Sequence, residues 1–426
     1  MKKSLFIYFL LLPFILKAQS VSNLIQHYQE RAQTYLVKSN ELRQYFSINT
    51  DGIHMYASPE MKQLNKAEFT VFWEDLEQFK ALLKYTDRAY QIEFYENHGT
   101  NRFSDDVAST IEILKQNYRY YHQPSNNPLA GIKVAIDPGH IAGDFKTAQV
   151  EGRYINMKHG GKEYQFWEAE LNLATAKVLK DSLSKYGAEV YLTREIPNTS
   201  AEGFTYEDWK KSHLRKKMQA DGLSSPQIDK KIKISYPSQI YREYFLRGDL
   251  EARANNINYF NPDVVVVIHY NADEKNQGWS KPSQRNFGMV FVPGSYLKKE
   301  LETPRDRYDF LRNLVSDHTQ ESAKLSKHIM ENLEEHIQVP AVDDTTEPNY
   351  LKSVAIRLSP GVYARNLRLC RLLNAPLCYG EPLLQDNEKE LEALSKIDLS
   401  KGIIPNRIVE VANSYFFGIL KYIEEK

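Results

Sequence analysis

The sequence predicts an α/β fold of three layers, a mostly parallel central sheet with helices on both faces, preceded by a mainly helical N-terminal domain. Three observations carry this. Short apolar runs at 133–136, 264–268 and 376–380 have the length and composition of buried strands. Segments with helical spacing separate them, so that strand and helix alternate. Each run also leads directly into a residue able to bind a metal or move a proton: Asp137-Pro138-Gly139-His140 after the first, His269 after the second, Glu381 after the third. Open α/β sheets place their ligands beyond the carboxyl ends of strands. The pattern points to a metal hydrolase.

Residues 1–18 read as an export signal. Lys2 and Lys3 precede an apolar stretch from Leu5 to Leu16, and Leu16-Lys17-Ala18 offers a small-residue cleavage site after Ala18. The run is short for a membrane span, and no cysteine follows Ala18, which argues against a lipoprotein. The expectation is an exported protein, in the periplasm or elsewhere in the cell envelope or outside it, with no stable membrane insertion after cleavage. Apolar content of 42% and charged content of 26% are those of a globular protein. Removing residues 1–18 takes away Lys2, Lys3 and Lys17 and leaves 52 basic against 55 acidic side chains, a net −3. So balanced a chain has no global field to recruit nucleic acid. The two cysteines, Cys370 and Cys378, lack metal-binding spacing and read as buried free thiols.

Residues 19–122 form the N-terminal domain, with no role that the sequence assigns. Leu24, Ile25, Tyr28, Ala32, Tyr35 and Leu36 recur at helical spacing, as do Phe69, Phe72, Trp73, Leu76, Phe79 and Leu83. Thr50-Asp51-Gly52 marks a turn, with a small hairpin around it. Ser104-Asp105-Asp106 caps a helix running to about residue 120. The dense aromatics here, including Tyr118, Tyr120 and Tyr121, read as core. Residues 123–130, with Pro124, Asn126, Asn127 and Pro128, are the linker.

From 131 to 426 the alternation is regular. A helix over 168–186 stops at Gly187, a strand follows at 189–193, and a helix over 247–259 leads into the strand at 264. Another strand is expected at 287–292, helices at 319–337 and 407–423, and the last strand at 376–380. Two insertions, 197–244 and 280–316, interrupt this rhythm, and 339–360 is irregular. The first is rich in lysine (Lys210, Lys211, Lys216, Lys217, Lys230, Lys231, Lys233) and reads as a solvated face, or as a basic lip for an acidic polymer.

A hydrolytic zinc site needs about three protein ligands and an open position for water, with a further carboxylate to carry the water's proton to the leaving group. His140, His269 and Glu381 stand at strand ends and can converge. The remaining carboxylate is expected from the start of the 168–186 helix, as Glu168 or Glu170. Such a site accepts other divalent ions besides zinc.

The residues then carry a resemblance. Residues 131 to about 424 resemble the zinc-dependent N-acetylmuramoyl-L-alanine amidases of bacterial cell-wall turnover. The family's opening strand and DPGH signature stand as Val134 to His140. Its acidic helix start matches Glu168 with Leu173-Ala174, and its Leu-Thr-Arg stretch stands at 192–194. Arg253 and Asn258 match the helix before the second histidine, and Ile268-His269-Tyr270-Asn271-Ala272 the segment that holds it. Ser322, Leu325 and Ile329 resemble the next helix. Pro376 to Glu381, with Asn387 six residues on, resembles the last strand.

The resemblance implies one Zn2+ per chain on His140, Glu168 and His269, with Glu381 as the catalytic acid/base. It implies peptidoglycan as substrate and partner, cleaved between N-acetylmuramic acid and L-alanine, and allows a protein activator. Asp137, Arg253, Asn271 and Asn387 follow as supporting or substrate-binding residues. A cell-wall peptidase or carboxypeptidase and an inactive wall-binding scaffold are the alternatives. The chain departs from the family where Ile141 replaces the usual glycine after DPGH, and in a longer gap to Glu168 that holds His159 as a competing ligand. Family members can carry a blocking segment after the second histidine; 280–316 stands there, with Glu300, Glu302, Asp306 and Asp309 able to reach an open metal position.

Overall fold

The structure, a computed structural model, describes residues 20–118, 127–276 and 281–426. The expected leader, Tyr120, Tyr121 and part of the 123–130 linker lie outside the described residues. No helix among the described residues is long and apolar enough to cross a membrane.

The N-terminal region is mainly helical but holds a three-stranded antiparallel sheet, β1 (Phe46–Ile48), β2 (Gly52–Met55) and β3 (Phe69–Phe72). The helical periodicity read across Phe69 and Phe72 is therefore corrected. Phe69-Thr70-Val71-Phe72 has the aromatic and β-branched content that favours a strand, and it pairs along β2 from Gly52↔Phe72 to Met55↔Phe69. The chain turns helical only after Phe72, through a 3-10 turn at Trp73–Asp75 into the α-helix Leu76–Tyr85.

The larger part of the chain is built on β4 (Lys133–Pro138), the hairpin β5 (Tyr154–His159) and β6 (Lys162–Trp167), β7 (Glu189–Leu192), β8 (Val264–Ile268), β9 (Met289–Val292), β10 (Ala355–Ser359), β11 (Val362–Arg365) and β12 (Leu377–Glu381). Seven of these form one sheet in the order β10-β11-β9-β12-β8-β4-β7. Its centre, β12-β8-β4-β7, is parallel, whereas β9 runs antiparallel to β12 and β10 to β11. Strand alternation divides the core. Val264, Val266 and Ile268 pack with Leu171 and Leu179 of the helix Glu168–Lys185, Leu325 and Ile329 of His318–Ile337, and Val411 and Ile419 of Asn406–Glu424. Val265 and Val267 face the other way, onto Ala254 and Ile257 of Arg247–Phe260 and Leu369 of Arg368–Leu372. A sheet covered on both faces needs the continuous apolar runs seen in β4 and β8.

The hairpin β5–β6 was not read from the sequence, although its signal is present. Gly160 (φ 56°) and Gly161 (φ 78°) form the turn, and two consecutive left-handed residues are what a tight hairpin asks of a Gly-Gly pair.

The lysine-rich insertion folds into helices, Tyr206–Ser212, Leu214–Ala220 and Ser225–Ile234 among them, around its own core of Tyr206, Trp209, Met218, Ile228, Tyr241 and Phe245. Ile141, fully buried, belongs to that core. The residue that departs from the family's glycine thus fastens the insertion to the turn after His140.

Among the described residues, none of 281–316 lines the cleft at the strand ends. Tyr296, Leu301, Tyr308, Phe310, Leu311, Leu314 and Val315 pack into the N-terminal core with Tyr28, Leu36, Phe46 and Tyr95. Three of the segment's four acids are engaged there, while Glu302 is exposed. Asp309, 2% exposed, pairs with Arg88 at 2.5 Å, Asp306 with Arg371 at 3.2 Å, and Glu300 accepts from the Leu297 backbone at 2.8 Å. Buried Arg31 ties the two parts together by donating to the carbonyls of Leu314, Val315 and Ser316 at the end of the helix Pro304–Val315. Cys370 and Cys378 are both buried and free.

Candidate metal centre and active site

Register brings the three strand ends level. Pro138 pairs with Ile268 and Gly380 pairs with Ile268, so His140, His269 and Glu381 emerge together at one edge of the sheet. Glu168 joins them as the first residue of its helix, buried at 3% exposure. Glu168 Oε1 lies 2.8 Å from His269 Nδ1 and Oε2 lies 3.3 Å from His140 Nε2. One ligand atom from each of His140, Glu168 and His269 falls within 4.8 Å of the others, a group able to hold a metal ion. Burial alone would raise the Glu168 carboxyl, but the His140 and His269 imidazoles outweigh it and hold the group well below the usual carboxylate range. The donor set of two imidazoles and one ionised carboxylate suits zinc in a site that keeps an open position.

The turn that presents His140 is held at nearly every polar atom. Arg253, 1% exposed, donates to the Pro138 carbonyl at 2.9 Å and the His140 carbonyl at 3.0 Å, and pairs with Asp137 at 3.1 Å and Asp249 at 2.8 Å. Arg194 donates to the Pro138 and Gly139 carbonyls, both at 3.1 Å, and Asn172 donates to Gly139 at 2.9 Å. Beyond His140, the buried Glu151 carboxylate accepts from the Ile141 and Ala142 amides and from the Tyr241 hydroxyl. This over-determination keeps His140 left-handed, at φ 61°, a conformation that costs a non-glycine residue roughly 1–3 kcal/mol.

His269 is fixed by packing. Its ring stacks on Tyr379, with centroids 4.7 Å apart and planes 6° apart, and meets the His140 ring edge-on at 4.8 Å. Its amide donates to the Gly380 carbonyl at 2.9 Å.

Glu381 faces the same cleft, of about 450 Å³, with His140, Glu168, His269, Asn271, Arg153 and Arg365 also in its lining. Its Oε2 is sealed from solvent with no hydrogen-bond partner among the described residues. Burial, then the nearby negative charge of Glu168, pushes the Glu381 carboxyl up to about 8. A carboxyl tuned into this range suits proton transfer near neutral pH.

The other expected residues sort by position. Asp137 and Arg253 lie beneath the turn, where Thr193 also donates to Asp137. Asn271 lines the cleft, and its side-chain oxygen accepts from the Ala272 amide at 2.8 Å. Asn387 is not brought to the cleft. It caps the helix Glu388–Leu394 and donates to the carbonyls of Ser283 and Arg285. Glu170 turns away to accept from the Leu399 amide, and His159 pairs with Glu388 at 3.0 Å on the hairpin. Glu151, Asn172, Tyr241 and Tyr379 escaped sequence reading because only their distant partners reveal them.

A parallel-centred sheet with two histidines and a carboxylate converging at its strand ends, and a second carboxylate alongside, defines an α/β protein with a candidate metal centre. Residues 134–406 match the family model described as N-acetylmuramoyl-L-alanine amidase, and the chain belongs to that family. Among solved structures, it is similar to the CwlD amidase from Clostridioides difficile in complex with the GerS lipoprotein, at 19% identity over 69% of this chain and 100% of that one, with a TM-score of 0.39. It is similar also to Ami1 from Mycobacterium smegmatis, at 16% identity over 70% and 99%, with a TM-score of 0.39. No curated protein matches the sequence.

Proposed function

We propose that this chain is an exported, zinc-dependent peptidoglycan amidase that hydrolyses the amide between the lactyl group of N-acetylmuramic acid and L-alanine. The observation that carries the reading is the convergence of His140, Glu168 and His269 within 4.8 Å at a cleft shared with Glu381, in a chain of the amidase family. Export is supported by the basic and apolar pattern of residues 2–18.

In this reading His140, Glu168 and His269 hold the zinc. When bound, zinc lowers the pKa of water to about 7 and polarises a carbonyl. Glu381 accepts the proton of the attacking water and hands it to the leaving L-alanine nitrogen, so that one carboxyl serves as base and then as acid. Its sheltered Oε2 has no competing donor among the described residues, which leaves the proton to the reaction. Arg253, Arg194 and Asn172 act through His140 by holding the turn, and Tyr379 sets the His269 ring plane.

Product analysis tests the reading. An amidase frees intact stem peptides from purified sacculi, whereas a peptidase yields shortened stems and a scaffold releases nothing.

A further inference from the structure

Two arginines line the cleft, Arg365 with no ion pair among the described residues and Arg153 with a single long one. Arg365 ends β11, with its guanidinium carbon 5.1 Å from the ring centres of both Phe291 and Tyr350. Rings on a guanidinium orient its plane while leaving its N–H fork free for an oxyanion. No carboxylate among the described residues forms an ion pair with it. Arg153, just before β5, lines the same cleft with its side chain 54% exposed, and it pairs with Glu168 at 3.7 Å. That carboxylate already faces the two histidines.

The acids of the cleft are occupied elsewhere. Asp273 pairs with Arg285 at 2.7 Å, and Glu274 accepts from the Asn349 amide at 3.0 Å. Both arginines lie near enough to Glu381 for their charges to act on it. The cleft therefore offers two guanidinium groups around the reacting position, and matching them calls for an anionic substrate. A cell-wall stem peptide meets this need when the residue after L-alanine is acidic, because a free carboxylate then stands one residue beyond the scissile amide.

We propose that Arg153 and Arg365 receive that free carboxylate, making the enzyme selective for stems with an unmodified acidic second residue over those in which it is amidated. The inference rests on the amidase reading and deepens it. Arg153 lies in the long segment between His140 and Glu168 that departs from the family, so this chain's own addition supplies one of the two groups.

The test uses two soluble muramyl peptides that differ only in carrying D-glutamate or D-isoglutamine after L-alanine. A charge-assisted hydrogen bond lost on amidation predicts kcat/KM higher for the acid by roughly tenfold. The acid-to-amide ratio should fall toward one in Arg365→Gln and in Arg153→Gln, and recover in part in Arg365→Lys. Equal kcat/KM for both peptides in wild type, or an unchanged ratio in Arg365→Gln, overturns the proposal. If neither peptide is cleaved, the amidase reading fails instead. Equilibrium binding of L-alanyl-D-glutamate and L-alanyl-D-isoglutamine then decides: an acid preference lost in Arg365→Gln supports the carboxylate site, and equal binding refutes it.

Discussion

Gly139 makes room for His269: a Cβ at position 139 would stand 2.2 Å from both Cε1 and Nε2 of the His269 ring. No side chain fits there while the imidazole keeps its place on Tyr379. Gly139→Ala should therefore displace His269 and weaken metal binding, although the sheet beneath retains its core. Metal content after dialysis, read beside a thermal melt, checks this. A folded variant with the wild-type metal content would place the His269 ring elsewhere.

The Glu381 carboxyl is raised to about 8 by burial and by Glu168, and lowered by Arg153, His140 and Arg365. In the proposed mechanism the ionised form is the base, so kcat/KM should fall as pH drops through its working pKa. A bound divalent cation favours the carboxylate, which sets the midpoint of that acid limb below 8. Removing a cation has the opposite sign: Arg365→Gln should move the limb to higher pH. A pH–rate profile of both proteins decides it, and a limb that stays or moves down contradicts the assignment.

How much of this was legible in the sequence depends on the range over which each residue acts. His140, His269 and Glu381 announce themselves because each follows directly on a strand run, and the parallel register of β4, β8 and β12 does the rest. Five strands of the sheet, β4, β7, β8, β9 and β12, followed from such runs, whereas β10 and β11 did not: 339–360 read as irregular, yet Ala355–Ser359 pairs with Val362–Arg365 at the sheet's edge. Phe69–Phe72 was misread because an aromatic pair three residues apart fits a helix face as well as a short strand; its partner β2 decides. Asp306 and Asp309 looked free to reach a metal because nothing local marks Arg371 and Arg88 as their partners. Ile141 stood out as a departure, but its reason lies some seventy residues or more away in the packing of Trp209 and Tyr241.

That packing yields a stability prediction. Ile141 is fully buried between the insertion and the metal-side turn. Ile141→Ala should cost about 2–5 kcal/mol in a denaturant titration. Because Glu151 holds the Ile141 amide at 2.9 Å, the loosened turn should also bind metal less tightly. A loss well under 1 kcal/mol would mean that the insertion does not depend on this anchor.

His318 supplies a second pH dependence. Burial, aided by Arg312, lowers its pKa from 6.5 to about 3, and its Nδ1 is buried without a partner among the described residues. The folded form thus resists protonation that the unfolded chain accepts. The stability owed to neutral His318 is present above pH 6.5 and is lost as pH falls from there toward 3. His318→Gln should flatten the change of melting temperature across that window. An identical slope in the variant would assign the acid sensitivity to other groups.

The account turns on Glu381, and one paired measurement tests it. Purified sacculi are digested with wild type and with Glu381→Gln, with mass spectrometry of the products and metal analysis of both proteins. The prediction is equal metal, one ion per chain, with intact stem peptides released by wild type and release slowed by roughly a hundredfold or more in the variant. A variant that carries its metal and frees stem peptides at the wild-type rate would show that the proton passes through another group.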